Sequence, residues 1–302
     1  MNATRDFKIL VCIPAFNEAE TIAEIIGKSR KYADDIIVYD DGSTDNTDEA
    51  ATSAGAIVIR NPENKGYGVA IRSLFQAAKE QEADIMVTLD SDGQHDPDEI
   101  AQVIEPLKQG FDIVIGSRFL KSDGKQKVPR YRSFGIKTIT KLTQAASYNG
   151  ITDSQSGFRA YNRNALSKIN LFEDGMAVST EILLRASEKK LLTTEVPITI
   201  NYDVKDTSTH NPISHGIGVL YSVFQFISLR HPLAFYGLPG IALLGIAAYF
   251  MKHALNLFSE TGYVSTNLIL ISVGIAVVGV VLLATAAIVY TLIALLKGRM
   301  KS

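Results

Sequence analysis

The sequence predicts an α/β fold: a mostly parallel sheet with helices on both faces, followed by an interfacial amphipathic helix and two transmembrane helices. Three observations carry this expectation. Short runs rich in Ile and Val alternate with helical patterns through the first part of the chain. The loops that hold the notable polar residues all follow strand-like runs. Charge is abundant over residues 1–210 and almost absent over residues 233–296.

The elements follow in order. Phe7–Ile13, Ile36–Tyr39, Ile57–Arg60, Ile85–Leu89 and Asp112–Gly116 are short, apolar and β-branched, as buried strands are. Helical patterns at about 19–31, 46–54, 67–80 and 98–109 separate them. Such alternation implies parallel strands with helical crossovers. A basic loop at 120–130 and a helical pattern over Ser133–Ser147 come next, then a helix around Ser179–Lys190, a strand over Thr193–Tyr202 and a polar loop over Asp203–Pro212. From Ser214 to His231 the apolar and aromatic residues Ile217, Leu220, Tyr221, Phe224, Phe226, Ile227 and Leu229 form an amphipathic helix, read as lying at a membrane interface. Leu233–Met251 and Asn267–Leu296 are long and apolar enough to cross a bilayer. Gly237, Pro239 and Gly240 are tolerable there, and Lys252–Thr266 is the polar link. Arg230 before the first span and Lys297, Arg299 and Lys301 after the second put both flanks in the cytoplasm, with Lys252 the contrary signal. The expected division is 1–212 catalytic, 213–232 juxtamembrane and 233–302 anchor, with paired anchors able to associate through Gly274, Gly279 and Ala284.

Composition narrows the function. Net charge is −2, without the basic excess that nucleic-acid binding needs. The one cysteine, Cys12, falls within the first strand, so no disulfide forms within the chain and a reducing compartment suits it. Met1–Asp6 lacks the apolar core of a signal peptide, which leaves the first unit in the cytoplasm of a multi-pass membrane protein. The first strand is not followed by Gly-x-Gly-x-x-Gly, which counts against a dinucleotide-binding domain.

Open sheets of this kind bind ligands beyond the carboxyl ends of their strands. The polar loops there are Pro14–Glu18, Asp40–Asp45, Asp90–His95 and Gly116–Phe119. Asp90 and Asp92, two apart in extended chain, point the same way. With the Gln94 amide they form an all-oxygen set suited to Mg²⁺ or Mn²⁺. Read without context, the same stretch is an acidic turn capping the helix near Pro97, and Asp41-Gly42-Ser43-Thr44-Asp45 is a turn with a helix N-cap.

Six motifs occur in order: Ile13-Pro14-Ala15-Phe16-Asn17-Glu18, Asp40-Asp41-Gly42-Ser43-Thr44-Asp45, Asn64-Lys65-Gly66-Tyr67-Gly68, Asp90-Ser91-Asp92-Gly93-Gln94-His95, Gly116-Ser117-Arg118-Phe119 and Ser156-Gly157-Phe158-Arg159. Over residues 7–202 the chain resembles the inverting glycosyltransferase family 2, with its GT-A (nucleotide-diphospho-sugar transferase) fold. Within it the chain resembles the dolichyl- or polyprenyl-phosphate sugar synthases. The resemblance implies a donor site of Pro14, Ala15, Asn17, Glu18, Asp41, Lys65, Asp90 and Ser91, with Glu18 toward ribose hydroxyls and Asp41 toward a base N–H. It implies a metal held by Asp90, Asp92 and Gln94, and an acceptor phosphate held by Arg118, Arg132 and Ser156, with spacing favouring Arg132 over Arg130. Asp92, Arg118 and Arg132 are the residues expected to carry catalysis.

The expected reaction moves a hexose from a nucleotide diphosphate sugar to a dolichyl or polyprenyl phosphate at the membrane. The wording Asp-Ser-Gln-Ser-Gly-Phe-Arg leans to a UDP-sugar (glucose or N-acetylglucosamine) over GDP-mannose. A hydroxyl acceptor needs a general base, whereas a lipid phosphate is already an anion. Asp153 stands where a base would, and is read instead as orienting Arg159 or Arg132. The rivals are transfer to a glycolipid or polysaccharide hydroxyl and an inactive membrane-anchored binding protein. A processive synthase would carry Gln-x-x-Arg-Trp, and this chain has no tryptophan.

Overall fold

The computed structural model describes residues 7–120, 140, 150–201, 228 and 231–299. The chain divides into two compact units, residues 1–222 and 223–302.

In the first unit seven strands form one sheet in the order β3-β2-β1-β4-β6-β5-β7. They are β1 (Ile9–Ala15), β2 (Asp35–Asp40), β3 (Ile57–Arg60), β4 (Ile85–Thr88), β5 (Ile113–Ser117), β6 (Arg159–Asn162) and β7 (Thr193–Pro197). The pairs β1–β2, β1–β4, β2–β3 and β5–β7 are parallel, and β6 is antiparallel to both β4 and β5. The mostly parallel sheet is therefore as expected. β6 and the short helix after it are additions that periodicity does not reveal, because Arg159-Ala160-Tyr161-Asn162 does not alternate.

Every residue of β1 is buried, since each of its faces meets a helical layer. One layer is α3 (Tyr67–Glu80), α5 (Arg163–Lys168) and α6 (Val178–Glu188), where Ile71, Leu74, Phe75 and Ile182 pack with Leu10, Cys12, Met86 and Tyr161. The other is α1 (Ile22–Ser29) and α4 (Ile100–Lys108), where Ile22, Ile26, Ile100 and Val103 pack with Val11, Ile13, Val87 and Phe158. The helix expected at 98–109 begins as a 3₁₀ turn, Pro97–Glu99, capped by the Asp96 side chain. That of 46–54 is α2 (Thr47–Ser53). Cys12 is a fully buried core residue, and burial pushes its thiol pKa up. The basic loop, the helix over Ser133–Ser147 and the amphipathic helix apart from Ser228 and His231 lie outside the described residues, as do Arg130 and Arg132.

The second unit contains two helices long and apolar enough to cross a membrane, Leu233–Thr261 and Thr266–Ile293. The first opens with a π-turn, Leu233–Gly237, and continues as α7, Leu238–Thr261. Pro239 lacks the N–H that an α-helix directs to the Phe235 carbonyl, and the turn ahead of it is wider. The second is α8, Thr266–Arg299. The link is shorter than expected: α7 runs through Lys252 and His253 to Thr261 and ends on Gly262 in the left-handed conformation. Helical propensity of Ala, Leu and Lys outweighs the polarity that suggested a loop. α7 and α8 touch where Gly240 meets Gly279, and a Cβ on either glycine would press on the other's carbonyl at 3.0 Å. The Ser272 hydroxyl adds a bond of 2.8 Å to the Ala247 carbonyl. Gly279 thus serves the hairpin itself, whereas Gly274 meets nothing within 4 Å.

Candidate active site

All the strands but β6 point their carboxyl ends at one edge of the sheet, and the loops that leave β1, β2 and β4 meet there. A cavity of about 220 Å³ opens between them, lined by Pro14, Ala15, Glu18, Asp41, Asp90, Ser91 and Asp92 among the expected residues. Its wall also includes Phe16, Asn64, Gly66 and Tyr67, which stand in the motifs without an expected role, and Gln155 and Met176. Asn17, Lys65, Gln94, Arg118 and Ser156 do not line it.

Asn17 instead stitches the first two loops together, its backbone at φ 57°. Its N–H donates to Ser43 Oγ at 2.9 Å and its Oδ1 accepts from Thr44 N at 2.8 Å. Behind them Asp40, fully buried, accepts from Ser43 N at 2.9 Å and faces Arg60 at 3.5 Å. Asp41 accepts from Lys65 N and, at 2.7 Å, from Gly66 N. Its carboxylate thus pins the 64–68 loop, and Lys65 enters through its backbone. Gly66, at φ 101°, and Gly68 admit the close approach of the 173–175 segment, where a Cβ would strike backbone.

Asp90 and Asp92 divide the work at the end of β4. Tyr67 Oη donates to Asp90 Oδ1 at 3.1 Å and His95 Nε2 lies 3.4 Å from Asp90 Oδ2. A Cβ at Gly157 would collide with the same carboxylate, which explains a glycine there. Burial alone would raise the Asp90 pKa, but His95, Tyr67 and the charge of Arg118 outweigh it and hold it below the ordinary value. Asp92 accepts from Gln94 N at 2.9 Å, which shapes the turn. The expected Gln94 amide ligand does not line the cavity, and its backbone is what contributes here.

Among the described residues, the cavity wall contains the carboxylates of Glu18, Asp41, Asp90 and Asp92 and no lysine or arginine. The crowding is felt at Glu18, whose pKa is pushed up to about 7 by burial first and then by Asp92, Asp45 and Asp90. A pocket rich in carboxylates fits a hard divalent cation. Among the described residues no three His, Cys, Asp or Glu side chains form a complete metal cluster. Mg²⁺ and Mn²⁺ are commonly held by one or two carboxylates, with phosphate oxygens and water completing the shell.

Arg118 follows β5 and forms a fork with Asp153, Nε to Oδ2 at 2.6 Å and Nη2 to Oδ1 at 2.7 Å. Asp153 is fully buried; burial would raise its pKa, and Arg118 holds it below the ordinary carboxylate range. Asp153 is expected to orient Arg159 or Arg132; it is paired with Arg118 instead of Arg159, and Arg132 lies outside the described residues. Arg159, 1 % exposed, donates instead to the carbonyls of Ser156, Ser179 and Ser154 at 2.8–2.9 Å. Ser156 is also 1 % exposed, with its hydroxyl accepting from Phe158 N inside the turn.

A sheet of this topology with paired carboxylates at its strand ends defines a GT-A-type glycosyltransferase. The chain belongs to glycosyltransferase family 2, whose profile, described as "Glycosyl transferase family 2", matches residues 10–169. It is 32% identical over 241 residues to UDP-N-acetylglucosamine–dolichyl-phosphate N-acetylglucosaminyltransferase of Methanococcus voltae, covering 73% of this chain and 96% of that protein. It is 31% identical over 211 residues to dolichol-phosphate mannosyltransferase of Pyrococcus furiosus, covering 67% of this chain and 58% of that one. Among solved structures it is similar to glucosyl-3-phosphoglycerate synthase of Mycobacterium tuberculosis with Mn²⁺, UDP and glucosyl-3-phosphoglycerate. The TM-score is 0.58 at 21% identity, covering 73% of this chain and 80% of that one, a likeness of fold alone.

Proposed function

We propose that this chain transfers a hexose, with inversion, from a nucleotide diphosphate sugar to a polyprenyl or dolichyl phosphate at the cytoplasmic face of the membrane. One observation carries the reading: a cavity walled, among the described residues, by the carboxylates of Glu18, Asp41, Asp90 and Asp92, beside an arginine already oriented by a buried aspartate. The relatives' named acceptors support the lipid phosphate, and the Mn²⁺ and UDP in the similar crystal structure support the donor and the metal.

The chain's own residues account for binding and alignment. Asp41 fixes the 64–68 loop at the nucleoside end, and Glu18 faces the ribose. Asp92 and Asp90 would hold Mg²⁺ or Mn²⁺, which when bound neutralises the diphosphate and stabilises the leaving nucleotide. Arg118 borders Asp90 closely enough to lower its pKa, so an acceptor phosphate at Arg118 would lie beside the donor. The nucleophile is an anion, so no base is required and the rate comes from alignment and charge compensation. Asp153 agrees with this: a carboxylate held below its ordinary pKa and forked to Arg118 is a poor base near pH 7. The two apolar helices would anchor the unit with both termini in the cytoplasm, and a UDP-sugar is the donor we favour over GDP-mannose. Incubating membranes that contain the protein with dolichyl phosphate and a panel of labelled nucleotide sugars tests this. The reading expects a divalent-cation-dependent lipid-linked product with one UDP-sugar, and label in no lipid fraction with any donor would overturn it.

A further inference from the structure

Thr152 and Asp153 belong to a segment without regular secondary structure, so their backbone N–H groups have no ladder partner. A single side chain from another element supplies one. Glu195, on β7, accepts from Thr152 N at 2.8 Å, Thr152 Oγ1 at 2.8 Å and Asp153 N at 2.9 Å. Ser117 Oγ bonds Thr152 Oγ1 at 2.7 Å and ties the same segment to the end of β5. β7 pairs in register with β5, Glu195 beside Ile115, and Arg118 follows three residues on. The segment so fixed presents Asp153, whose two oxygens take the Arg118 backbone N–H and both sides of its guanidinium. Among the described residues no lysine or arginine pairs with Glu195, so its carboxylate is held by neutral donors. Burial pushes its pKa up, and the Thr152 and Asp153 donors oppose that push.

We propose that Glu195 is a positioning residue for the acceptor: through Thr152 and Asp153 it sets the direction in which Arg118 presents its guanidinium to a phosphate monoester anion. The inference rests on the reading of Arg118 as the acceptor-phosphate residue. A carboxylate is needed because both oxygens accept and neither donates. An amide at this place would turn an N–H₂ toward one of the Thr152 or Asp153 donors. The backbone at Asp153 would shift, and a fork with bonds of 2.6 and 2.7 Å does not tolerate such a shift.

The test compares wild type, Glu195→Gln, Arg118→Lys and the double variant, full-length in nanodiscs. Glu195→Gln should raise KM for polyprenyl phosphate about tenfold while KM for the nucleotide sugar moves by less than about twofold. The double variant should show no further rise beyond Arg118→Lys alone, because one residue acts through the other. A Glu195→Gln variant with unchanged acceptor KM, an equal loss for the donor, or effects that multiply would each overturn the proposal. The Arg118 Nε–H resonance, assigned by its absence in Arg118→Lys, gives an arm independent of turnover. It should be protected from exchange in wild type and exposed in Glu195→Gln; an unchanged signal contradicts the claim. Should wild type fail to use polyprenyl phosphate, the acceptor reading falls, and this resonance still decides whether Glu195 positions Arg118.

Discussion

Asp92 and Asp90 stand two residues apart, yet their surroundings give them different work. Asp90 is braced by Tyr67, His95 and Gly157, whereas Asp92 shapes its own turn through Gln94 N. Asp92→Asn should therefore keep the melting temperature within a few degrees while lowering turnover by about 10²–10³-fold, as loss of an electrostatic group at a reacting centre does. Activity and thermal unfolding on one preparation check this. Gly157→Ala should cost turnover and stability together, because its methyl enters the space of the Asp90 carboxylate. Glu18 supplies the pH dependence. With its folded pKa raised from 4.5 to about 7, it favours the fold when protonated, and that contribution is lost as pH rises through about 7. In chelator, Glu18→Gln should raise the melting temperature at pH 8 and leave it unchanged at pH 4. At this scale carboxylates after a buried strand are conspicuous in the sequence. The bracing roles are not: Tyr67, Gly157 and Glu195 come from distant segments and act through geometry that spacing does not encode.

Among the elements, strands β1 to β5 were legible because each is a short run rich in Ile and Val bounded by polar turns; β1, β4 and β5 are buried throughout, β2 is buried after its first residue, and β3, at the sheet edge, is only half-buried. β6 was not. Its buried members include Arg159, whose charge is met by three carbonyls rather than by solvent, so the usual link between polarity and exposure fails there. The end of α7 was misjudged for the opposite reason: Lys252 and His253 look like a loop but sit on an exposed helix surface. The α7–α8 crossing makes a prediction of its own. Gly240→Leu should separate the helices and lower the yield and melting temperature of detergent-purified protein, because the Gly279 carbonyl and Leu283 occupy the space its side chain needs. Nucleotide binding, monitored by titration with UDP and Mn²⁺, should survive this change. Loss of that binding would mean that the hairpin supports the site itself.

For the molecule as a whole, the segment after β7 returns to the site. Asn201 N donates to the Gln94 carbonyl at 2.9 Å, and Ile200 bridges His95. The chain therefore leaves the sheet directly at the loop that carries Asp90 and Asp92, before the residues that lead to the apolar helices. The change from charged to apolar chain is visible in the sequence from charge alone. Acceptor chemistry is the claim on which the account depends, and it is tested most directly by offering polyprenyl phosphate and the matching polyprenol, at equal concentration in the same vesicles, with labelled nucleotide sugar and Mg²⁺. Transfer to the phosphate, abolished by chelator, with none to the alcohol is the predicted result. Equal transfer to the alcohol, or an undiminished rate in excess chelator, would contradict the account.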